Sequence, residues 1–191
     1  MKKLKIPCYY YILLSLITFS AYGQDSLGDS HKIYSNNKWD FTFRYPPSWD
    51  LYSNRSFTEK THGLWNVPDA IVIVANTNDP EDNFFVKANP APSGTIPESA
   101  LQDMIGSLDQ QYRQRYQGFR KIHAKIIEMA GARGIEYLMD NEKDGTKLRQ
   151  KVLLLIKNGK SFIWTFTAHR GRYDQVNKEC FEGVLSSLRI K

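Results

Sequence analysis

Apolar and polar positions along this chain follow two periods, one of two residues and one near three and a half. From Trp39 to Tyr45 the run Trp-Asp-Phe-Thr-Phe-Arg-Tyr changes character at every step, which predicts a strand with one face in a core, ended by Pro46-Pro47. Trp49 to Tyr52 predicts a second short strand, and the polar stretch Ser53 to Asn66 reads as loop. Ala70 to Ala75 is continuously apolar and β-branched, as in a strand covered on both sides, and Phe84 to Ala88 predicts another.

The longer period begins after the Pro-, Gly- and Ala-rich segment 88–95. Thr95-Ile96-Pro97-Glu98 reads as a capping box with proline in the first turn. Leu101, Met104, Ile105, Leu108, Tyr112 and Tyr116 then form one apolar stripe, predicting a helix over 97–117 stopped by Gly118. Phe119 to Ala130 and Gly134 to Asp140 predict two strands joined around Gly131 to Gly134, and Asn141 to Thr146 a loop. Lys147 to Lys157 and Lys160 to Ala168 flank Asn158-Gly159, a dipeptide suited to a type I′ hairpin because both central residues need positive φ. That turn sets Leu155 opposite Phe162 and Leu153 opposite Trp164 on one face, with Leu154 opposite Ile163 and Val152 opposite Thr165 on the other. A sheet apolar on both faces needs a layer on each. The stripes at 97–117 and at Tyr173 to Leu188 supply them, so the expected fold class is α+β, an antiparallel sheet sandwiched between helices.

The beginning of the chain has another character. Lys2, Lys3 and Lys5 precede an apolar stretch from Tyr9 to Phe19, and Ala21-Tyr22-Gly23 carries small residues at the spacing of a cleavage site before Gln24. Residues 1–23 therefore predict a secretory signal peptide, followed by a flexible N-terminal segment at 24–38 and one domain at 39–191. The apolar stretch is shorter than the roughly 20 residues that span a bilayer, so no stable membrane anchor is expected. Cys8 precedes that stretch, which argues against a lipid-carrying cysteine at the cleavage point. The expected location is periplasmic or secreted.

Cleavage changes the charge. The net +6 falls to +3 once Lys2, Lys3 and Lys5 leave, so the basic pI is poor evidence for nucleic acid, and no nucleic-acid partner is expected. Only Cys180 remains, on the stripe with Val176, Val184 and Leu188, where it reads as a small buried residue, and no intramolecular disulfide can form.

Several of these segments resemble the PsbP-like superfamily, which includes the extrinsic photosystem II subunit, a Ran-binding nuclear import factor and small bacterial envelope proteins of the DcrB-like kind. The resemblance rests on Phe41-Thr42-Phe43-Arg44-Tyr45-Pro46-Pro47-Ser48-Trp49, the central helix, the strand at Gly134-Ile135-Glu136-Tyr137, the Asn158-Gly159 hairpin and the closing Phe181-Glu182-Gly183-Val184-Leu185-Ser186-Ser187-Leu188. Ser48 stands where the family pattern has glycine. The resemblance implies an α-β-α sandwich without shared catalytic residues, in which partners differ between members.

No chemical motif competes with that reading. His31, His62, His123 and His169 lie far apart in sequence, Gly-x-Ser-x-Gly is missing, and Gly131 and Gly134 fit no phosphate-binding pattern. No enzyme activity, cofactor or metal is expected. The acidic stretch Asn76 to Asn83 could offer oxygen ligands to calcium but lacks the glycine and terminal glutamate of an EF-hand loop, so it reads as a solvated turn, as does 140–145. Lys147, Arg149 and Lys151 alternate on one strand face, and Arg170 and Arg172 follow the paired strand, with Arg149 opposite Ala168. These five predict a positive patch for an acidic partner surface or anionic lipid headgroups, open to extension by Lys121 and Lys125, against the plainer reading of a charged, aggregation-resistant sheet edge. Trp39, Tyr45, Trp49 and Tyr52 read as core, whereas Trp65, in the expected loop, is a candidate binding aromatic. The leading expectation is an exported, non-catalytic binding or assembly module with an envelope protein partner. The alternative is a carrier of a small apolar ligand or lipid in a pocket between sheet and helix.

Overall fold

The computed structural model of the protein describes residues 30–191, so the expected signal peptide, its cleavage point and the start of the 24–38 segment lie outside the described residues. In chain order come β1 (Lys32–Asn36), β2 (Phe41–Tyr45), β3 (Trp49–Tyr52), α1 (Asn54–Lys60), β4 (Val72–Asn76), β5 (Asn83–Pro90) and α2 (Glu98–Arg115). There follow β6 (Gln117–Met129), β7 (Ala132–Lys143), β8 (Thr146–Lys157) and β9 (Lys160–His169). The chain closes with α3 (Tyr173–Val176), a π-helical turn (Asn177–Phe181), α4 (Glu182–Ser187) and β10 (Arg189–Ile190).

The centre of the molecule is a meander made by three two-residue turns. Ala130-Gly131, Asp144-Gly145 and Asn158-Gly159 all carry positive φ at both positions, the geometry whose twist matches antiparallel strands. At Asn158-Gly159 the register is the one the dipeptide dictates, with Leu155 facing Phe162, Leu153 facing Trp164 and Arg149 facing Ala168. At Asp144-Gly145 the expected loop is instead a tight hairpin, because Asp-Gly satisfies the same φ requirement as Asn-Gly. The meander completes a seven-stranded antiparallel sheet of order β3-β4-β5-β9-β8-β7-β6.

Each face has its layer, though not of helices alone. On the first face Leu153, Leu155, Phe162, Trp164 and Phe166 meet the C-terminal helical segment and a small sheet of order β1-β2-β10. Phe43 packs edge-on to Trp164 with ring centres 5.3 Å apart, and Phe181 of the π-helical turn lies 4.9 Å from Phe166. The alternating strand 41–45 therefore belongs to a second sheet, because its inward residues Phe41, Phe43 and Tyr45 already cover the first. Part of the segment expected to be flexible is the strand β1, paired with β2 from Lys32 opposite Tyr45 to Asn36 opposite Phe41. Cys180 is buried on this face as its stripe predicts, and burial pushes its thiol well above the ordinary cysteine value.

The second face is covered in two pieces. Leu108 and Tyr112 of α2, with Tyr116 just beyond it, rest on Tyr137, Met139 and Val152, while α1 and the segment after it pack Phe57, Trp65 and Val67 on Ile73, Ala75 and Leu148. Helix α1 replaces an expected loop. Its Ser53 and Ser56 side chains reciprocate a capping box, and Phe57 is its one buried anchor. The capping box read at Thr95 to Glu98 does not form, since Pro97 is the N-cap residue and has no side-chain bond to give. Turn formation at Ser48 needs no glycine: the Trp49 amide donates to the Pro46 carbonyl at 3.1 Å without positive φ at Ser48.

Candidate functional site

Helix α2 is anchored at its two ends and half-seated between them. Arg133 reaches the Ile96 carbonyl and Glu98 at its start, and Asp109 accepts from Tyr137 Oη at 2.5 Å and from Lys121 further along. Burial alone would raise the Asp109 pKa, but those two hydrogen bonds outweigh it and hold the carboxyl below its ordinary value. Only Leu101 is fully buried, whereas Met104, Ile105, Leu108, Tyr112 and Tyr116 are partly exposed. An amphipathic helix that leaves its stripe partly open leaves space beside it.

That space is a groove of about 640 Å³ between α2 and the segment bearing Trp65. Phe85, Val152 and Ile163 contribute its apolar floor, Leu108, Tyr112 and Tyr116 one wall, and Trp65, Val67 and Pro68 the other. Trp65 is thus buried, 7% exposed, and the expectation of an exposed loop aromatic is corrected: α1 folds the segment down so that its indole joins Phe57 and Val67. It still borders the groove, with Nε1 buried and unpartnered and Lys143 Nζ 4.2 Å from the ring centre. Burial depresses the Lys143 pKa, Asp144 opposes that, and Arg115 adds to it. The floor also holds Gln150, satisfied on both sides through Asn141 and Thr167.

The expected positive patch is largely neutralised. Arg149 donates Nε to Asp140 Oδ1 at 2.7 Å, and Arg120 reaches the other oxygen of the same carboxylate at 2.6 Å. Asp140 is 3% exposed; burial would raise its pKa, and the two guanidinium groups hold it below the ordinary range instead. Lys151 is half-buried and donates to Asn177 Oδ1 at 2.8 Å. Arg172 pairs with Asp79 and, at 2.7 Å, with Asp82. Lys121 and Lys125, offered as extensions, pair with Asp109 and Glu136. Lys147 and Arg170 remain exposed at one end of the hairpin, joined by a backbone bond from the Arg170 amide to the Lys147 carbonyl.

Arg172 also explains the acidic turn. Asp79, Glu81 and His169 offer atoms within 4.8 Å of one another, with His169 Nε2 2.6 Å from Glu81 Oε2. Among them the Arg172 guanidinium already supplies the positive charge such a cluster demands, and Asp82 beneath it is 1% exposed. Desolvation raises the Asp82 pKa to about 6 in spite of Arg172. Asn76 to Asn83 is therefore an ion-paired turn docked on the β9 end rather than a solvated one.

Neither a protein-family model nor a curated protein matches the sequence. Similarity lies in the fold. The chain superposes on CyanoP, the cyanobacterial PsbP of Synechocystis, with a TM-score of 0.62 over 91% of this chain and 99% of that one, at 16% identity. It has the PsbP-like fold. The same PsbP-like architecture aligns with a Bacteroides thetaiotaomicron protein at a TM-score of 0.56 and 15% identity, over 85% of this chain and 49% of that one. LpqN of Mycobacterium tuberculosis, described as involved in cell envelope biogenesis, aligns at 0.50 and 16% identity over 86% and 87% of the two chains. In this PsbP-like fold the groove's lining residues other than Trp65 escaped sequence reading because they come from β5, α2, β9 and the β7–β8 hairpin, which only the strand order brings together.

Proposed function

We propose that this chain is an exported, non-catalytic binding module of the bacterial cell envelope, and that its ligand lies in the groove between α2 and the Trp65 segment. The observation that carries the reading is the groove itself, an apolar sheet floor with aromatic walls left open by a half-seated helix, of a size within the roughly 300–1,000 Å³ of small-molecule sites. Placement in the envelope draws on the signal-like residues 1–23 and on the fold shared with LpqN. The non-catalytic part of the reading is supported by the surroundings of Cys180, which is buried with its thiol pKa raised.

Native mass spectrometry of protein recovered from its own cells is expected to show a co-purifying apolar species. Fluorescence of N-phenyl-1-naphthylamine should rise on addition of the purified protein, and Leu108→Asp, which sets a charge in the wall, should abolish the rise. A protein that carries nothing and leaves the probe dark would end this reading.

A protein partner is the second reading, favoured by Lys147 and Arg170, the members of the predicted patch that no acid neutralises among the described residues. Exchanging both for glutamate should weaken capture of an acidic envelope partner as added salt does. Capture unmoved by both changes would remove it.

A further inference from the structure

We infer that the groove takes a fatty-acid-like amphiphile, one acyl chain lying on the Phe85, Val152 and Ile163 floor and its carboxylate held by Arg115 and Lys143. The inference rests on the groove reading above and adds the chemistry of the ligand.

The cations bordering this groove lack, among the described residues, the oxygen partners that half-buried cations have elsewhere. Lys32 is matched by Asp50, Lys160 by Asp40, Arg149 by Asp140 and Arg172 by Asp79 and Asp82, while Lys151 and Lys157 donate to neutral oxygens of Asn177, Ala130 and Ile190. Three cations border the groove, Lys87, Arg115 and Lys143, and none has a carboxylate within ion-pair distance among the described residues, although Glu142 and Asp144 also line it. Lys143 is half-buried and partly stripped of its hydration, Arg115 lines the same groove from its exposed edge, and Asp144 offsets part of the charge at Lys143. An anion lying in the groove between the two cations would be attracted by both. Trp65 adds a donor on the wall opposite α2, since its Nε1 is buried without an acceptor while the residue is 7% exposed. A buried donor with no partner costs free energy that a ligand oxygen would recover.

Apolar side chains meet on the floor of the groove beside the polar Gln150 and Thr165. Val152 and Ile163 come from the central pair β8 and β9, Phe85 lies opposite Thr165, and the Tyr112 and Tyr116 rings stand 5.7 Å apart along α2 above them. Lys87 lies opposite Ile163 across the β5–β9 pair. Cations beside an apolar strip suit a single chain with an acid head better than an uncharged molecule.

Two probes of equal chain length separate the parts of this argument: 11-(dansylamino)undecanoic acid and its methyl ester. The acid is expected to bind the purified protein at least tenfold more tightly than the ester. Arg115→Gln with Lys143→Gln should bring the acid to the affinity of the ester and leave the ester unchanged, with the thermal midpoint confirming an intact fold. Leu108→Asp should remove both. Equal binding of acid and ester, unmoved by the double substitution, would overturn the carboxylate inference and leave the groove reading standing. Failure of both probes in the unaltered protein would overturn the two together. Binding to vesicles of anionic phospholipid without binding of the free acid would also overturn the inference, by placing the anion site at a membrane surface.

Discussion

Asp82 holds a carboxyl that is almost fully buried and titrates near pH 6 in the folded protein, against an ordinary value of 3.8. Between those values the folded form keeps a proton that the unfolded chain has released, so stability falls as pH rises through the window and levels off above it. The contribution is of order 2–3 kcal/mol. Asp82→Asn cannot titrate and should flatten the pH 4–6 slope of the thermal midpoint, whereas Arg172→Gln, which removes the charge that favours ionisation, should extend that slope above pH 6. A slope unchanged in Asp82→Asn would locate the titration elsewhere. The same residues show what a sequence hides at this scale. Alternation placed Lys147, Arg149 and Lys151 on one strand face correctly, but the acids that neutralise Arg149 and Arg172 arrive from Asp140 on a neighbouring strand and from the β4–β5 turn. Charge reversal at Arg149 or Arg172 consequently probes the fold, because it leaves a buried carboxylate without its partner.

Among the elements, those governed by local chemistry were legible and those governed by burial were not. Asn158-Gly159 determines its hairpin through a backbone requirement two residues long, and the apolar stripe of α2 is visible without tertiary context. Helix α1 is polar apart from Phe57 and only seven residues long, too short for a periodic signal, and it exists because Phe57 and Trp65 find a place on Ile73 and Ala75. Two glycines separate these influences. Gly134 lies in β7 with ordinary φ, yet a Cβ there would collide with the Leu154 carbonyl oxygen, so it marks close approach of strands. Gly106 sits in the exposed middle of α2 with nothing near a Cβ. Gly106→Ala should stabilise by about 0.5–1 kcal/mol through helix propensity, and Gly134→Ala should destabilise by about 2 kcal/mol or more through backbone displacement. Denaturant titration of the pair checks both signs. Equal effects would mean that β7 yields where the packing says it cannot.

At the scale of the whole molecule the architecture follows from a sheet that is apolar above and below. The first face is sealed by aromatic packing from β2 and the C-terminal helical segment, while the second is shared by two covers with a groove between them. Two-sided burial and the two helical stripes that help cover it were readable from the sequence; the small sheet that completes the first cover was not, since β1 and β10 are short strands whose pairing with β2 is settled only in three dimensions. The asymmetry has a dynamic consequence. Central strands lose their hydrogen bonds only on global unfolding, but α2 has one fully buried side chain, Leu101, and is tied down chiefly through Arg133, Asp109 and Tyr137. Its amides are therefore expected to exchange with solvent much faster than those of β8 and β9. A ligand in the groove touches both α2 and the sheet, so at a concentration one hundred times its dissociation constant it should add about 2.7 kcal/mol to any opening that releases the helix, slowing exchange in α2 roughly a hundredfold. The β1–β2–β10 sheet on the opposite face should respond only as far as global stability rises. Slowing spread evenly over every element, or confined to the Lys147 and Arg170 end of the hairpin, would show that the ligand sits somewhere other than beneath α2.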